Sequence, residues 1–160
     1  MSATISNGVT IPPGYKVRRV QASDYNNNYL ETLKALTVVG DVTETQFVDT
    51  VALWESQPQI YHNLVITDED GKVVAAGNIV IEQKMIHHCG RVGHIEDIAV
   101  HQSQQGKQLG KALILSLLEI AKQEKCYKVI LDCDPKNVGF YEKCGLKQCG
   151  IEMSIRYDRN

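Results

Sequence analysis

Two stretches hold residue types whose spacing could do chemistry. The first, QGKQLGK (105–111), sets two glycines four residues apart beside two lysines, after an apolar segment and before a periodic one. It has neither P-loop spacing nor the GxGxxG of a dinucleotide site. A helix starting near Leu109 would leave backbone N–H groups unpaired and carry partial positive charge. Gly106 and Gly110 would let a ligand approach the backbone, and Lys107 and Lys111 would add cations. A bound pyrophosphate and a plain helix start both suit that pattern. The second stretch, VGHIEDIAV (92–100), places His94, Glu96 and Asp97 inside an otherwise apolar strand. Alternation predicts that the Glu96 and Asp97 side chains face opposite sides. From residue types alone, one carboxylate at the surface and one paired with a base is the ordinary arrangement.

The elements that must position these residues follow from periodicity. Residues 15–20 predict a first strand. Ser23 or Asp24 is placed to cap a helix over residues 25–39, whose three asparagines weaken its first turn. Thr43 and Gln46 form a capping box before a second helix with Phe47, Val51 and Trp54 on one face, stopped by Pro58. Two strands flank Asp70-Gly71 within residues 62–84, a hairpin signal. After the strand at 92–100, Leu109 to Gln123 predicts a helix with Leu109, Leu113, Leu117 and Ile120 on one face, Ala112 and Ala121 beside them. A strand over 127–133, a short helix from Asn137 to Lys143 with Gly145 as its cap, and a last strand, CGIEMSIRY (149–157), complete the order. This predicts a mixed α/β layer with one sheet face covered by helix. It forms one domain from residue 14 onward, after a flexible leader over 1–13. The helix joining strands 92–100 and 127–133 implies a right-handed crossover between parallel neighbours.

Composition narrows the function classes. A chain of 160 residues with net charge −2 has no electrostatic pull toward nucleic acid or anionic membrane. No apolar run reaches a membrane span and the N-terminus lacks signal-peptide character, so the expected location is cytoplasmic. Cys89, Cys126, Cys133, Cys144 and Cys149 show no CxxC pair and are odd in number, which predicts buried free thiols. His87, His88 and Cys89 are adjacent, but no second ligand pair at zinc spacing exists, so no metal is expected.

QGKQLG (105–110) resembles the acetyl-coenzyme A signature of the GCN5-related N-acetyltransferase (GNAT) superfamily, Gln/Arg-x-x-Gly-x-Gly/Ala, with Gln108 at the middle glycine. If Gln108 keeps negative φ, which glutamine accepts, the backbone amides still point at the ligand, and the substitution bears on the loop's shape more than on its chemistry. GHIEDIAV (93–100), CYKVILDCDPKNVGFYEKCG (126–145) and GIEMSIR (150–156), with LKALTVVG (33–40) and GNIVIEQKMIHHCG (77–90), resemble the eukaryotic glucosamine 6-phosphate N-acetyltransferase family. The likeness covers about Gly14 to Arg156. It implies the GNAT fold, a mixed, mostly antiparallel sheet with a central parallel splayed strand pair, flanked by helices. It implies direct acetyl transfer from acetyl-CoA, as co-substrate, to the 2-amine of D-glucosamine 6-phosphate, in UDP-N-acetylglucosamine biosynthesis. A homodimer sharing its last strand and phosphate site is implied as well.

The same resemblance assigns residues. Backbone groups of Ile98, Ala99 and Val100 would pair with the pantetheine. Gly106, Lys107, Gln108, Leu109, Gly110 and Lys111 would hold the pyrophosphate, with Asp132, Asn137 and Tyr141 near the cofactor. Glu96, Asp97 and Ile98 would lie against the sugar. Thr37, Lys84, His87, Tyr127, Lys128 and Arg156 would complete the substrate site around the phosphate. Tyr141 would protonate the departing thiolate. An ammonium cannot attack a thioester, so Glu96, Asp97 or a nearby backbone carbonyl would help remove the amine's proton. Read without the likeness, Tyr141 is half-buried packing and Phe140 is core. The alternatives are the same fold acting on a polyamine or protein N-terminus, which would favour carboxylates at the acceptor site, and a coenzyme A-binding domain without turnover.

Overall fold

Five strands in chain order make the sheet: β1 (Lys16–Arg19), β2 (Tyr61–Thr67), β3 (Val73–Gln83), β4 (Arg91–Val100) and β5 (Cys126–Ile130). The computed structural model describes residues 8–157; residues 1–7, most of the expected leader, lie outside the described residues, as do 158–160. Of the remaining leader, Ile11 packs on the main core. The first four strands are antiparallel, and β5 joins β4 in parallel after the crossover through a helix. Gly71 turns the β2–β3 hairpin at φ +78, a left-handed conformation that needs no Cβ there.

Helices cover both faces, where patterning predicted one. The crossover helix α4 (Leu109–Gln123) buries the predicted stripe, Leu109, Leu113, Leu117 and Ile120, against Leu64, Ile66, Ile79 and Ile95. Each such leucine contributes about 2 kcal/mol through burial. On the opposite face, α2 (Glu44–Ser56) sets Phe47 and Val51 over Val65, Val73 and Ala76. Its capping box is formed as predicted, with Thr43 Oγ1 accepting from the Gln46 N–H at 3.2 Å and Gln46 Oε1 accepting from the Thr43 N–H at 2.9 Å.

Four expectations are corrected. The helix predicted over 25–39 is broken into a 3-10 turn (Ala22–Asn26) and α1 (Tyr29–Leu33), with Asn28 between them at φ +68. Asp24 turns inward, fully buried, and Arg18 donates to both its oxygens at 2.7 Å. Asn28 then ties the break to the sheet through the Val73 carbonyl at 2.9 Å. The strand predicted over 127–133 ends at Ile130, and residues 151–157 form no strand and stand exposed, paired with no edge of the five-stranded sheet. The parallel pair therefore stands at the sheet's end. Finally, all five cysteines are free, but only Cys144 is buried; Cys89 lies in a turn and Cys149 in the exposed tail.

His62 introduces a pH dependence. It is 4% exposed, its Nε2 has no partner, and its Nδ1 sits 2.9 Å from an Arg19 guanidinium nitrogen that donates to it. Burial and then the Arg19 charge push the imidazole down to about 4. Glu124 Oε1, at 4.0 Å, is too far to bond a proton there. The unfolded chain takes up that proton near pH 6.5, so stability present above 6.5 is lost as pH falls toward 4, by up to about 3 kcal/mol. Thermal unfolding should show Tm declining across that window, and His62→Gln should flatten the decline.

Candidate active site

The parallel ladder between β4 and β5 runs from Arg91 opposite Cys126 to His94 opposite Ile130 and stops. β4 continues to Val100, while the chain after Ile130 leaves the sheet. The strands thus splay, leaving one edge of β4 open beyond His94. Beside the splay lies a cleft of about 490 Å³, lined among others by His94, Glu96, Lys128, Asp132 and Tyr141.

At the far end of β4 the glycine turn meets α4. Ala112 is the first residue to donate back, to the Gln108 carbonyl at 3.0 Å, and no side chain caps the helix. The N–H groups of Leu109, Gly110 and Lys111 thus have no partner among the described residues. Gly106 and Gln108 are both left-handed, at φ +80 and +66, which turns backbone donors outward in the manner of anion-binding loops. Negative φ at Gln108 is therefore not kept: the turn imposes the conformation a glycine prefers, and glutamine takes it at a cost of about 1 kcal/mol. Gly110 is needed for another reason, since a Cβ there would come within 3.2 Å of Phe140 Cζ. Phe140, expected in the core, is 37% exposed and closes over the turn. Lys107 and Lys111 flank it; Lys107 also bonds Gln104 Oε1 at 2.8 Å. Gln108→Gly should raise Tm by about 2 °C by relieving the strain, whereas β-branched Gln108→Val should lower it; a thermal scan decides.

Glu96 and Asp97 do not alternate as predicted. Ala76 pairs with Ala99 and Asn78 with Glu96, so Gly77 stands opposite two residues, Asp97 and Ile98. This bulge puts Asp97 at φ +55, and both carboxylates are exposed. Gly77 makes room for it: a Cβ would fall 2.5 Å from Ile98 Cδ1 and 2.9 Å from Leu113 Cδ2. Among the described residues neither carboxylate pairs with a base. Asn78 Nδ2 donates weakly to Asp97 Oδ2 at 3.4 Å. Partial burial, then the charges of Asp132 and Asp97, raise the Glu96 carboxyl, with His94 opposing. Such a pocket favours a cation.

Tyr141 stands on α5 (Val138–Lys143), which Gly145 terminates as predicted, at φ +94 with its N–H on the Glu142 carbonyl. Burial, then Cys133, Cys144 and Asp132, raise its phenol above the ordinary value. The hydroxyl is protonated at neutral pH, as an ordinary phenol is.

Of the substrate residues implied by the resemblance, the structure gathers Lys84, His87, Tyr127 and Lys128. His87 stacks on Tyr127 at 4.3 Å between ring centroids, and the Lys128 ammonium lies 5.9 Å over the same ring. His87 belongs to α3 (Ile86–Cys89), where it, His88 and Cys89 take left-handed dihedrals. Gly90 lets Tyr127 approach, since a Cβ would meet the ring at 2.7 Å. Lys84 is engaged by Glu82 at 2.7 Å. Thr37, after α1, and Arg156, in the tail, are exposed and are not among the cleft residues; Asn137 lies at the start of α5. Sequence reasoning missed Glu82 and His94 as a pair, joined at 2.7 Å across β3 and β4. Their diagonal placement on one sheet face was the available signal. Among the described residues no group of three or more His, Cys, Asp or Glu is placed to hold a metal.

A splayed parallel pair, a glycine turn opening a helix beside it, and a tyrosine in one cleft with Glu96 and Asp132 are the parts of an acyl-transfer site of the coenzyme A type. Residues 27–146 match the Acetyltransferase (GNAT) family, and the chain belongs to it. Among curated proteins it is similar to the glucosamine 6-phosphate N-acetyltransferase of Candida albicans, 54% identical over 92% of this chain and 99% of that one. The enzyme of that name from Arabidopsis thaliana is 41% identical over 90% of this chain and 97% of its own length. The crystal structure of glucosamine-6-phosphate N-acetyltransferase from Arabidopsis thaliana superposes with a TM-score of 0.87, covering 90% of this chain and 99% of that one.

Proposed function

We propose that this chain transfers the acetyl group of acetyl-CoA to the 2-amine of D-glucosamine 6-phosphate, giving N-acetyl-D-glucosamine 6-phosphate and coenzyme A. The observation that carries the substrate is the mixed charge of the cleft: Lys128 and Lys147 line it together with Glu96, Asp132, Glu142 and Glu152, and Asp132 acts on the Glu96 carboxyl. A hexosamine phosphate bears its anion and its amine on opposite sides of one ring. The likeness to enzymes of that name, over nearly their whole length, supports the reaction.

In this reading Glu96 and Asp97 receive and orient the amine and take up its proton, and Asp132 closes that end. The N–H groups of Leu109, Gly110 and Lys111, with the Lys107 and Lys111 ammonium groups, hold the pyrophosphate. The open edge of β4 from Ile98 to Val100 takes the pantetheine as an added strand, and Asn137 borders its mouth. Tyr141 donates its phenolic proton to the departing thiolate, and no acyl-enzyme forms. Much of the acceleration comes from holding two substrates in line. Lys128 borders the sugar phosphate, with His87 and Tyr127 clustered beside it and Lys84 held by Glu82.

The proposal extends to a homodimer. Ile151, Met153, Ile155 and Tyr157 are 91%, 90%, 74% and 80% exposed at period-2 spacing, as on one face of a strand awaiting a sheet. Pairing with a second copy would bury them and bring Arg156 to that copy's phosphate, where a guanidinium bonds in bidentate fashion. No helix of the described residues is long and apolar enough to cross a membrane, and the reading places the enzyme in the cytoplasm. The test is thiol release from acetyl-CoA with glucosamine 6-phosphate, glucosamine and spermidine in parallel. Release with the sugar phosphate alone supports the reading. Equal rates with glucosamine sink the phosphate site, and release only with spermidine sinks the substrate.

A further inference from the structure

His94 has no place in the roles above, yet it stands midway along the cleft. The register of the parallel pair puts Lys128 opposite Val92 and Ile130 opposite His94; Asp132 and Glu96 each lie two residues further on. Along β4, at about 3.3 Å per residue, Val92 (opposite Lys128), His94 and Glu96 follow one another at steps of about 7 Å, so His94 lies between the levels of Lys128 and Glu96. A pyranose carrying its amine toward one end and its phosphate toward the other places its ring hydroxyls at that level.

The imidazole is fixed. Its Nε2 lies 2.7 Å from Glu82 Oε2, and Glu82 Oε1 accepts from the Lys84 ammonium at 2.7 Å. Those two hydrogen bonds, Lys84 first, hold the Glu82 carboxyl below its usual range, so it remains an acceptor. An ionised carboxylate on Nε2 requires the proton there, so in the neutral ring Nδ1 is a hydrogen-bond acceptor. Nδ1 has no partner among the described residues and is not among the buried polar atoms left unsatisfied, so it is open to solvent, and His94 lines the cleft.

We propose that His94, oriented by Glu82, is a specificity residue that accepts a hydrogen bond from a ring hydroxyl of the hexosamine phosphate through Nδ1. This rests on the reading of the cleft as a sugar-phosphate site. A polyamine or a peptide N-terminus has no hydroxyl at that level, so the contact would select a sugar.

The test compares kcat/KM for glucosamine 6-phosphate and its 3-deoxy and 4-deoxy analogues in the wild-type enzyme, His94→Phe and Glu82→Gln. One deoxy analogue should lose about 10-fold or more with the wild type, the loss expected when a site's acceptor is left unpaired. In His94→Phe the parent sugar should fall by a similar factor and that analogue should show no further loss. In Glu82→Gln, which keeps the side-chain shape, the discrimination should shrink. A merely structural role for His94 would lower all three substrates alike and leave their ratios unchanged, which overturns the inference. A wild type indifferent to both deoxy analogues overturns it as well. Should His94→Phe fail to fold, unchanged ratios in Glu82→Gln overturn it. An inactive wild type on the parent sugar instead overturns the reading of the site.

Discussion

Tyr141→Phe should lower kcat about 10²-fold and leave KM for both substrates within about 2-fold, the pattern of a group that acts only in the transition state. The argument is geometric and electrostatic together. Tyr141 is half-buried on α5 and lines the cleft with Asp132 and Cys133. A phenol is protonated at neutral pH at its ordinary pKa of about 10, and burial with these neighbours raises it further, so the proton a thiolate leaving group needs is present but held more tightly. Phenylalanine preserves the ring and its edge-on contact with Phe140, at 5.0 Å between centroids. Steady-state kinetics on a variant of unchanged Tm is the check. A rise in KM at constant kcat would assign the hydroxyl to binding instead.

Glu96→Gln should separate activity from stability. Activity should fall about 10²-fold, because the amide cannot take up the amine's proton. Stability should move the other way. The folded-state carboxyl is raised by burial, then by Asp132 and Asp97, so the group favours the fold below its unfolded pKa and loses that contribution as pH rises through the folded value. At neutral pH the ionised Glu96 therefore weighs against the fold, and the amide removes that repulsion. Tm of Glu96→Gln at pH 7 should match or exceed the wild type, and the gap should narrow at pH 4. A lower Tm at pH 7 would mean that the carboxylate is a structural partner.

The features legible in the sequence are those set by local periodicity and capping. The stripe of α4, the Thr43–Gln46 box and the Gly145 cap depend on residues within one or two turns of each other, and each is present as predicted. What escaped depends on distant chain. The bulge at Asp97 exists because Gly77, on the neighbouring strand, leaves space for Ile98; no pattern within 92–100 could announce it. Gln108 hides a glycine-like conformation that the turn imposes. The first helix breaks because Asp24 finds Arg18 on β1 and Asn28 finds the Val73 carbonyl on β3. The tail has a strand's alternation but pairs with no strand of the described residues. For the site, the types of Glu96, Asp97 and Tyr141 were visible, whereas the Glu82–His94 pair needed the register of β3 against β4 to bring its members together.

The most direct measurement follows acetyl-CoA labelled with carbon-13 at the acetyl carbonyl in the presence of glucosamine 6-phosphate, by NMR with intact-protein mass in parallel. The account predicts that the label passes from thioester to an amide on the sugar's 2-nitrogen while the protein mass stays unchanged. Label that remains in the thioester, or that appears as an acetyl adduct on the protein, would contradict it.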